Sequence, residues 1–178
     1  MTVTRLTAAR LDAAAPELAD LLTEVVADGA SVGFLAPLDR VTALAWWRER
    51  ERERARAVAA GRLAVWLARD AAGRPAGTVS LVFADKPNSR HRAEVVKLMV
   101  HPDRRGRGLG RRLLGTAEEA AAAAGITLLH LDTESGSGAE LLYRSAGWVR
   151  AGAIPDYAAS PDGVLRATTL YYKRVGTG

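Results

Sequence analysis

Arg105-Gly106-Arg107-Gly108-Leu109-Gly110 sets glycines among arginines directly before a helix-forming run, a combination that can hold an anion. With no Cβ at Gly106, Gly108 and Gly110, successive backbone N–H groups can close on phosphate oxygens at the positive end of a helix macrodipole. Arg104, Arg105, Arg107, Arg111 and Arg112 surround them with cationic donors. The chemistry this suits is a pyrophosphate cradle for an anionic cofactor. A Walker loop would end in Gly-Lys-(Ser/Thr), and a dinucleotide fingerprint would keep the G-x-G-x-x-G spacing; the run from Gly106 completes neither. A loop rich in Gly and Arg can also be no more than a flexible basic connection.

The composition limits what else the chain can do. Its 178 residues, 48% hydrophobic and 25% charged, suit a single domain over residues 1–178 with a sizeable core. No cysteine occurs, which rules out a disulfide, a thiolate nucleophile and an acyl-cysteine intermediate. The histidines, His91, His101 and His130, form no ligand spacing, so no metal site is expected. The N-terminal MTVTRLTAARLDAAAPELAD has no basic segment followed by a long apolar core, and no window is apolar enough for a membrane span, so a cytoplasmic protein is expected. The formal charge of +5 is modest, and the arginines of the glycine loop account for it more economically than a nucleic-acid surface does.

These residues need elements to position them. Val3 to Leu6 reads as a strand, Pro16 to Ala27 as a helix with Leu18, Leu21, Leu22, Val25 and Val26 on one face, and Asp39 to Ala60 as a longer helix. Within the latter, the alternating Arg48-to-Arg54 run reads as a solvated face. Leu63 to Arg69 and Gly77 to Phe83 form a hairpin, and Glu94 to Val100 is the next strand. A helix from about Leu109 to Ala124 follows the glycine loop. The near-continuous apolar run Ile126 to Asp132 then suits a strand buried on both faces and parallel to its predecessor. Ser137-Gly138-Ala139-Glu140 has the capping-box pattern of a short helix ending near Gly147. Trp148 to Ala151 and Thr168 to Val175 supply the last strands, with Pro155 to Gly163 as a loop.

Arg105 to Gly110 fits the (Gln/Arg)-x-x-Gly-x-(Gly/Ala) signature of the GCN5-related N-acetyltransferase (GNAT) family, directly after the expected strand, and the chain resembles that family over almost its whole length. The fold this implies is α/β, with a mixed, mostly antiparallel sheet, a splayed parallel central strand pair and flanking helices. GASVGFLAPL, KLMVHPDRRGRGLGRRLL, LLHLDTESGSGAELLYRSAGWVRAGAIPDYAASPDG and the final LYYKR resemble, more narrowly, the tabtoxin-resistance acetyltransferases, which acetylate the amino group of a small β-lactam amino acid. The resemblance implies acetyl-CoA as donor. Its pantetheine arm would pair with the backbone of Leu98, Met99 and Val100, and its pyrophosphate would meet the amides from Arg105 through Gly106, Arg107, Gly108 and Leu109 to Gly110. Arg104 and Arg111 flank that run, and Leu141, Leu142 and Tyr143 would face the arm.

Acetyl transfer to an amine needs a neutral nucleophile, a donor for the oxyanion and a proton for the departing thiolate. Glu94 and Asp132 match carboxylates considered as bases in the tabtoxin-resistance group, acting through water; either can instead be structural, by pairing with an Arg or capping a turn. Tyr143 matches the family's usual general acid, unless it is a packing tyrosine. A backbone N–H of Met99 or Val100 would meet the oxyanion. Ser31, Val32, Gly33 and Phe34, with Asp156 and Tyr157, would recognise a small amine acceptor. Many relatives are dimers, so a homodimer is an expectation of the resemblance alone.

Gly29-Ala30-Ser31-Val32-Gly33 also satisfies G-x-S-x-G, which raises a serine hydrolase using Ser31, although a nucleophile elbow needs a strand before it and a helix after it. The glycine loop would serve equally an acetyltransferase acting on another amine or on a protein, or an inactive CoA-binding module. An RNA-binding role would want more than 6% aromatic residues and an RNP-like or helix-turn-helix signature.

Overall fold

The computed structural model describes residues 1–49 and 56–176. In chain order the elements are β1 (Thr2–Arg5), α1 (Ala8–Ala27), α2 (Arg40–Glu49), β2 (Leu63–Arg69), β3 (Pro75–Phe83), β4 (Arg92–Val100), α3 (Leu109–Ala123), β5 (Leu128–Glu134), α4 (Gly138–Ser145), β6 (Val149–Ala159) and β7 (Leu165–Arg174). They build a seven-stranded sheet in the order β1-β2-β3-β4-β5-β7-β6, in which only β4 and β5 run parallel. The α/β class, the mostly antiparallel sheet and the central parallel pair are those expected.

Period-two alternation divides the core in two. Leu63, Val65 and Leu67 of β2 face α1 and α2, whereas Ala64, Trp66 and Ala68 face the side covered by α3 and α4. Burial on both faces explains why β2 reads as an unbroken apolar run. The α1/α2 cluster ends at Met99 of β4 and includes no residue of β5, β6 or β7 among the described residues. Among the described residues, neither α1 nor α2 therefore covers that face in this half of the sheet.

Several boundaries differ from the sequence reading for identifiable reasons. α1 begins at Ala8 rather than Pro16, because Thr7 caps it by accepting from the Arg10 N–H at 3.3 Å and an Ala-rich first half carries the helix through Pro16. α2 starts as expected, but Arg50 to Arg54 lie outside the described residues; residues 56–59 are again helical. β5 is buried on one face only: Leu129 and Leu131 pack against the α3/α4 cluster, while His130 is half-buried and Asp132 exposed. The supposed loop from Pro155 to Gly163 is largely strand. β6 is an edge strand, where the missing N–H of Pro155 is tolerated, and the irregular register between Ile154 and Ala158 absorbs the left-handed Asp156 (φ 49°).

Trp148 fastens this end of the sheet. It is buried, and its Nε1 donates to Glu118 Oε1 of α3 at 2.7 Å; Lys173 Nζ of β7 donates to Glu118 Oε2 at 2.6 Å and to the Ala146 carbonyl at 2.8 Å. Glu118→Ala leaves the indole N–H without its acceptor and is expected to cost about 2 kcal/mol, a fall in Tm of about 4–8 °C measurable by thermal denaturation.

Candidate active site

β4 and β5 separate. They pair only from Arg92 to Glu94 against Leu128 to His130, after which β5 continues with β7 as far as Glu134 and leaves residues 95–100 of β4 without a partner on that side. A bulge in β4 sharpens the departure: Ser80 pairs with Val96 but Thr78 with Met99, so Lys97 and Leu98 together oppose Val79, and Lys97 is left-handed at φ 52°. The extra residue resets the alternation. Ala93 and Val95 face α3 and α4, yet Met99 packs into the α1/α2 cluster.

The bulge also decides which backbone groups face the cleft. His101 N–H donates to the Ala76 carbonyl at 2.9 Å, and the Met99 carbonyl lies 2.7 Å from where a Cβ on Gly77 would stand, so both point toward β3. By alternation, Val100 and Leu98 turn their polar groups to the cleft, and Val100 O accepts from Arg105 Nε at 3.2 Å. Of the two N–H groups expected to meet an oxyanion, the Val100 N–H is the one directed there.

At the end of the cleft the chain passes the short turn Pro102–Arg104 and two left-handed glycines, Gly106 (φ 70°) and Gly108 (φ 76°), before α3. Gly108 is the N-cap. The first intrahelical bond runs from Arg112 N to Gly108 O at 3.0 Å, which leaves the N–H groups of Leu109, Gly110 and Arg111 without intrahelical acceptors. A Cβ at Gly106 or Gly108 would meet nothing within 4 Å, while one at Gly110 would come within 3.3 Å of Leu142, so α4 is seated against the cradle. Open backbone donors at a helix N-terminus fit a pyrophosphate.

The arginines are less uniform than the sequence implied. Arg104 is held by Asp70 of the β2–β3 turn at 2.7 Å, and Arg105 pairs with Asp28 at the end of α1. Arg112 donates to the Met1 carbonyl at 2.8 Å, and Arg111 to Ser145 Oγ of α4 at 3.2 Å. Arg107 is exposed and makes no side-chain hydrogen bond or ion pair among the described residues. Arg107 and Arg111 are thus the flanking cations with least internal commitment, while Arg104 and Arg105 anchor the loop to its neighbours.

Tyr143 reaches the site from α4. Its ring is buried at 6% exposure and packs against Trp148 and Tyr171 with centroids 6.0 and 5.9 Å away. Its hydroxyl makes no hydrogen bond among the described residues and is not sealed from solvent. Burial, and next the negative charge of Asp132, push the phenol above the usual tyrosine range, so it stays protonated at neutral pH. Asp132 and His130 lie on the face of β5 opposite Leu129 and Leu131, and Glu94 pairs with His130 in register, which sets both candidate carboxylates on the same face of the sheet, away from α3 and α4.

α4 is oriented by Glu140 more than by Ser137. Ser137 occupies the N-cap position with extended backbone, but its side chain makes no capping bond. Glu140 Oε2 instead accepts from Gly136 N–H and Oε1 from Tyr171 Oη, both at 2.9 Å. The Gly136 bond, opposed by burial and aided by Tyr171, holds this carboxyl below its usual range. A lowered folded value stabilises the protein above the unfolded value of about 4.3 and is lost as pH falls through the folded one. Urea denaturation is expected to show wild type more stable than Glu140→Gln at pH 7, with the gap closing below about pH 4.

The acceptor-side expectations divide. Val32, Gly33 and Phe34 gather around Lys97, whose Nζ donates to Val32 O at 2.5 Å and lies 5.8 Å from the Phe34 ring; Ser31 beside them is exposed. Ala36 N–H donates to Pro161 O at 2.9 Å, joining this loop to the β6–β7 turn along an open groove of about 510 Å³. Asp156 and Tyr157 sit exposed on β6 and do not line that groove. Ser31 lies in irregular chain after α1, and α2 begins only at Arg40, so the strand–turn–helix of a nucleophile elbow is absent. Lys97 escaped the sequence reading; its one available signal was a cation inside the apolar run VVKLMV.

Residues 26–148 match the model of the acetyltransferase (GNAT) family. Among solved structures, the ribosomal-protein-alanine N-acetyltransferase of Brucella melitensis is 22% identical with a TM-score of 0.75, the match covering 98% of this chain and 100% of that one. A phosphinothricin acetyltransferase of Sinorhizobium meliloti, in complex with acetyl-CoA, is 19% identical with a TM-score of 0.76, covering 99% and 89%. A putative acetyltransferase of Salmonella typhimurium, also with acetyl-CoA, is 20% identical with a TM-score of 0.75, covering 100% and 95%. The chain belongs to the acetyltransferase (GNAT) family, whose fold takes acetyl-CoA as donor.

Proposed function

We propose that this chain moves the acetyl group of acetyl-CoA to the amino group of a small amino-acid-like molecule, such as a β-lactam toxin or a similar antimetabolite, and so inactivates it. The observation that carries the reaction is the joining of three features: a cleft opened between β4 and β5, a cradle of free backbone donors at its end, and a protonated tyrosine beside it. The acceptor class is supported by the tabtoxin-resistance resemblance and by the phosphinothricin acetyltransferase among the structural relatives.

On this reading Gly106 to Arg111 hold the pyrophosphate, with Arg107 and Arg111 contributing charge, and Leu98 and Val100 pair with the pantetheine arm. When bound, acetyl-CoA supplies the thioester carbon that the amine attacks. Glu94 or Asp132 takes the ammonium proton through water, leaving the nitrogen lone pair free. The Val100 N–H donates to the oxygen on which charge develops. Tyr143 Oη gives its proton to the departing sulfur.

An assay of thiol release with phosphinothricin, a β-lactam amino acid, dipeptides and an alanine-terminated peptide tests the acceptor. Turnover of the small amino-acid-like amines well above the peptide is expected; turnover of the peptide alone would move the acceptor to a protein N-terminus.

A further inference from the structure

Lys97 is a cation in the middle of a largely apolar strand, in a backbone conformation that a non-glycine residue seldom adopts. Such an outlier persists only where its surroundings fix it, and here they are specific. The bulge turns the side chain toward the α1/α2 side of the sheet. There Nζ donates to the Val32 carbonyl at 2.5 Å and lies 5.8 Å from the Phe34 ring centroid and 5.4 Å from that of Trp46. Phe34 and Trp46 meet edge to face at 5.1 Å, and Trp46 in turn meets the buried Trp47 at 5.0 Å. Gly33 (φ 91°) lies between, where an added Cβ would stand 3.5 Å from Nζ.

One side chain thus ties three parts together: the bulge of β4 beside the cleft, the loop of residues 31–34, and the aromatic end of α2. We propose that Lys97 is a positioning residue for the acceptor, its ammonium fixing the loop of residues 31–34 over the cleft by way of Val32, Phe34 and Trp46. This rests on the acetyltransferase reading, in which that loop is the acceptor side. The phosphate cradle is built from other residues, so Lys97 affects the acceptor and spares the cofactor.

The test compares wild type with Lys97→Met, which keeps the length but removes the charge, and Lys97→Arg, which keeps a donor and a cation. Hydrogen exchange of peptides covering residues 30–38 is expected to quicken about tenfold in Lys97→Met, through loss of the charge-assisted bond to the Val32 carbonyl, while residues 104–112 stay unchanged. Lys97→Arg restores most of the protection. With phosphinothricin as the probe acceptor, KM for the acceptor rises about tenfold in Lys97→Met, KM for acetyl-CoA stays within about twofold, and Lys97→Arg recovers most of the loss. Should wild type not acetylate phosphinothricin, the exchange comparison decides alone. Unchanged exchange in residues 30–38, or a KM for acetyl-CoA rising as much as that for the acceptor, overturns the proposal. Failure of wild type to bind acetyl-CoA would instead remove the acetyltransferase reading and leave the tether standing.

Discussion

Tyr143→Phe is expected to bind acetyl-CoA as wild type does and to transfer the acetyl group roughly 10²–10⁴-fold more slowly. The substitution removes one oxygen from a ring already packed between Trp148 and Tyr171, so phenylalanine fills the same space. That oxygen makes no hydrogen bond within the described residues, so its loss leaves no protein group unsatisfied. What disappears is a proton. Burial and the nearby Asp132 keep the phenol protonated beyond the ordinary tyrosine value of about 10, so the hydroxyl can donate across the whole physiological range. Single-turnover kinetics at saturating acetyl-CoA measures the effect apart from binding. Wild-type turnover by the Phe variant would reduce Tyr143 to a packing residue.

Gly108→Val is expected to act in the opposite sense, weakening acetyl-CoA by roughly 10²-fold in Kd before any chemistry. Gly108 stands at φ 76°, and a β-branched residue there costs about 1–2 kcal/mol of strain or forces the loop to a new course. The loop is what aims the N–H groups of Leu109, Gly110 and Arg111 out of α3. Misdirecting two charge-assisted hydrogen bonds, at about 1.5 kcal/mol each, gives that factor. The space around Gly108 is open, so a loss of binding would reflect backbone direction and occupation of the cradle, with no collision inside the protein. Gly115→Ala, inside α3 with open space around it, is the control and leaves affinity unchanged. Calorimetric titration of the three proteins makes the comparison.

The cradle was legible because local chemistry determines it: positive-φ glycines, arginines and a helix start are all written in neighbouring residues. The buried face of α1 was legible for the same reason, since Leu18, Leu21, Leu22, Val25 and Val26 carry its periodicity, whereas the unbroken apolar run of β2 does not say which of its residues face which layer. The bulge at Lys97 was not, because it arises from the pairing of β4 with β3 and no residue type in VVKLMV demands it. That one displacement decided that Met99 faces α1 and Val100 faces the cleft. β6 extends well past its sequence signal because Pro155 looks like a breaker, and only its place at the sheet edge makes it harmless. The capping box at Ser137 misleads in a similar way: its glutamate is recruited by Gly136 and Tyr171, a partner distant in sequence. Likewise the arginines around the loop look equivalent in sequence, whereas the fold commits Arg104 to Asp70 and Arg105 to Asp28.

Acetyl-CoA must enter the β4–β5 cleft with its pyrophosphate at the start of α3 if the chain works as described, and a calorimetric titration of the purified chain tests that directly, with desulfo-CoA and ATP as comparison ligands. Saturable binding of acetyl-CoA and desulfo-CoA at one site per chain, which ATP does not reproduce, is the expected result. No saturable binding, or equal binding of ATP, would contradict it and reduce the glycine loop to a basic connection between β4 and α3.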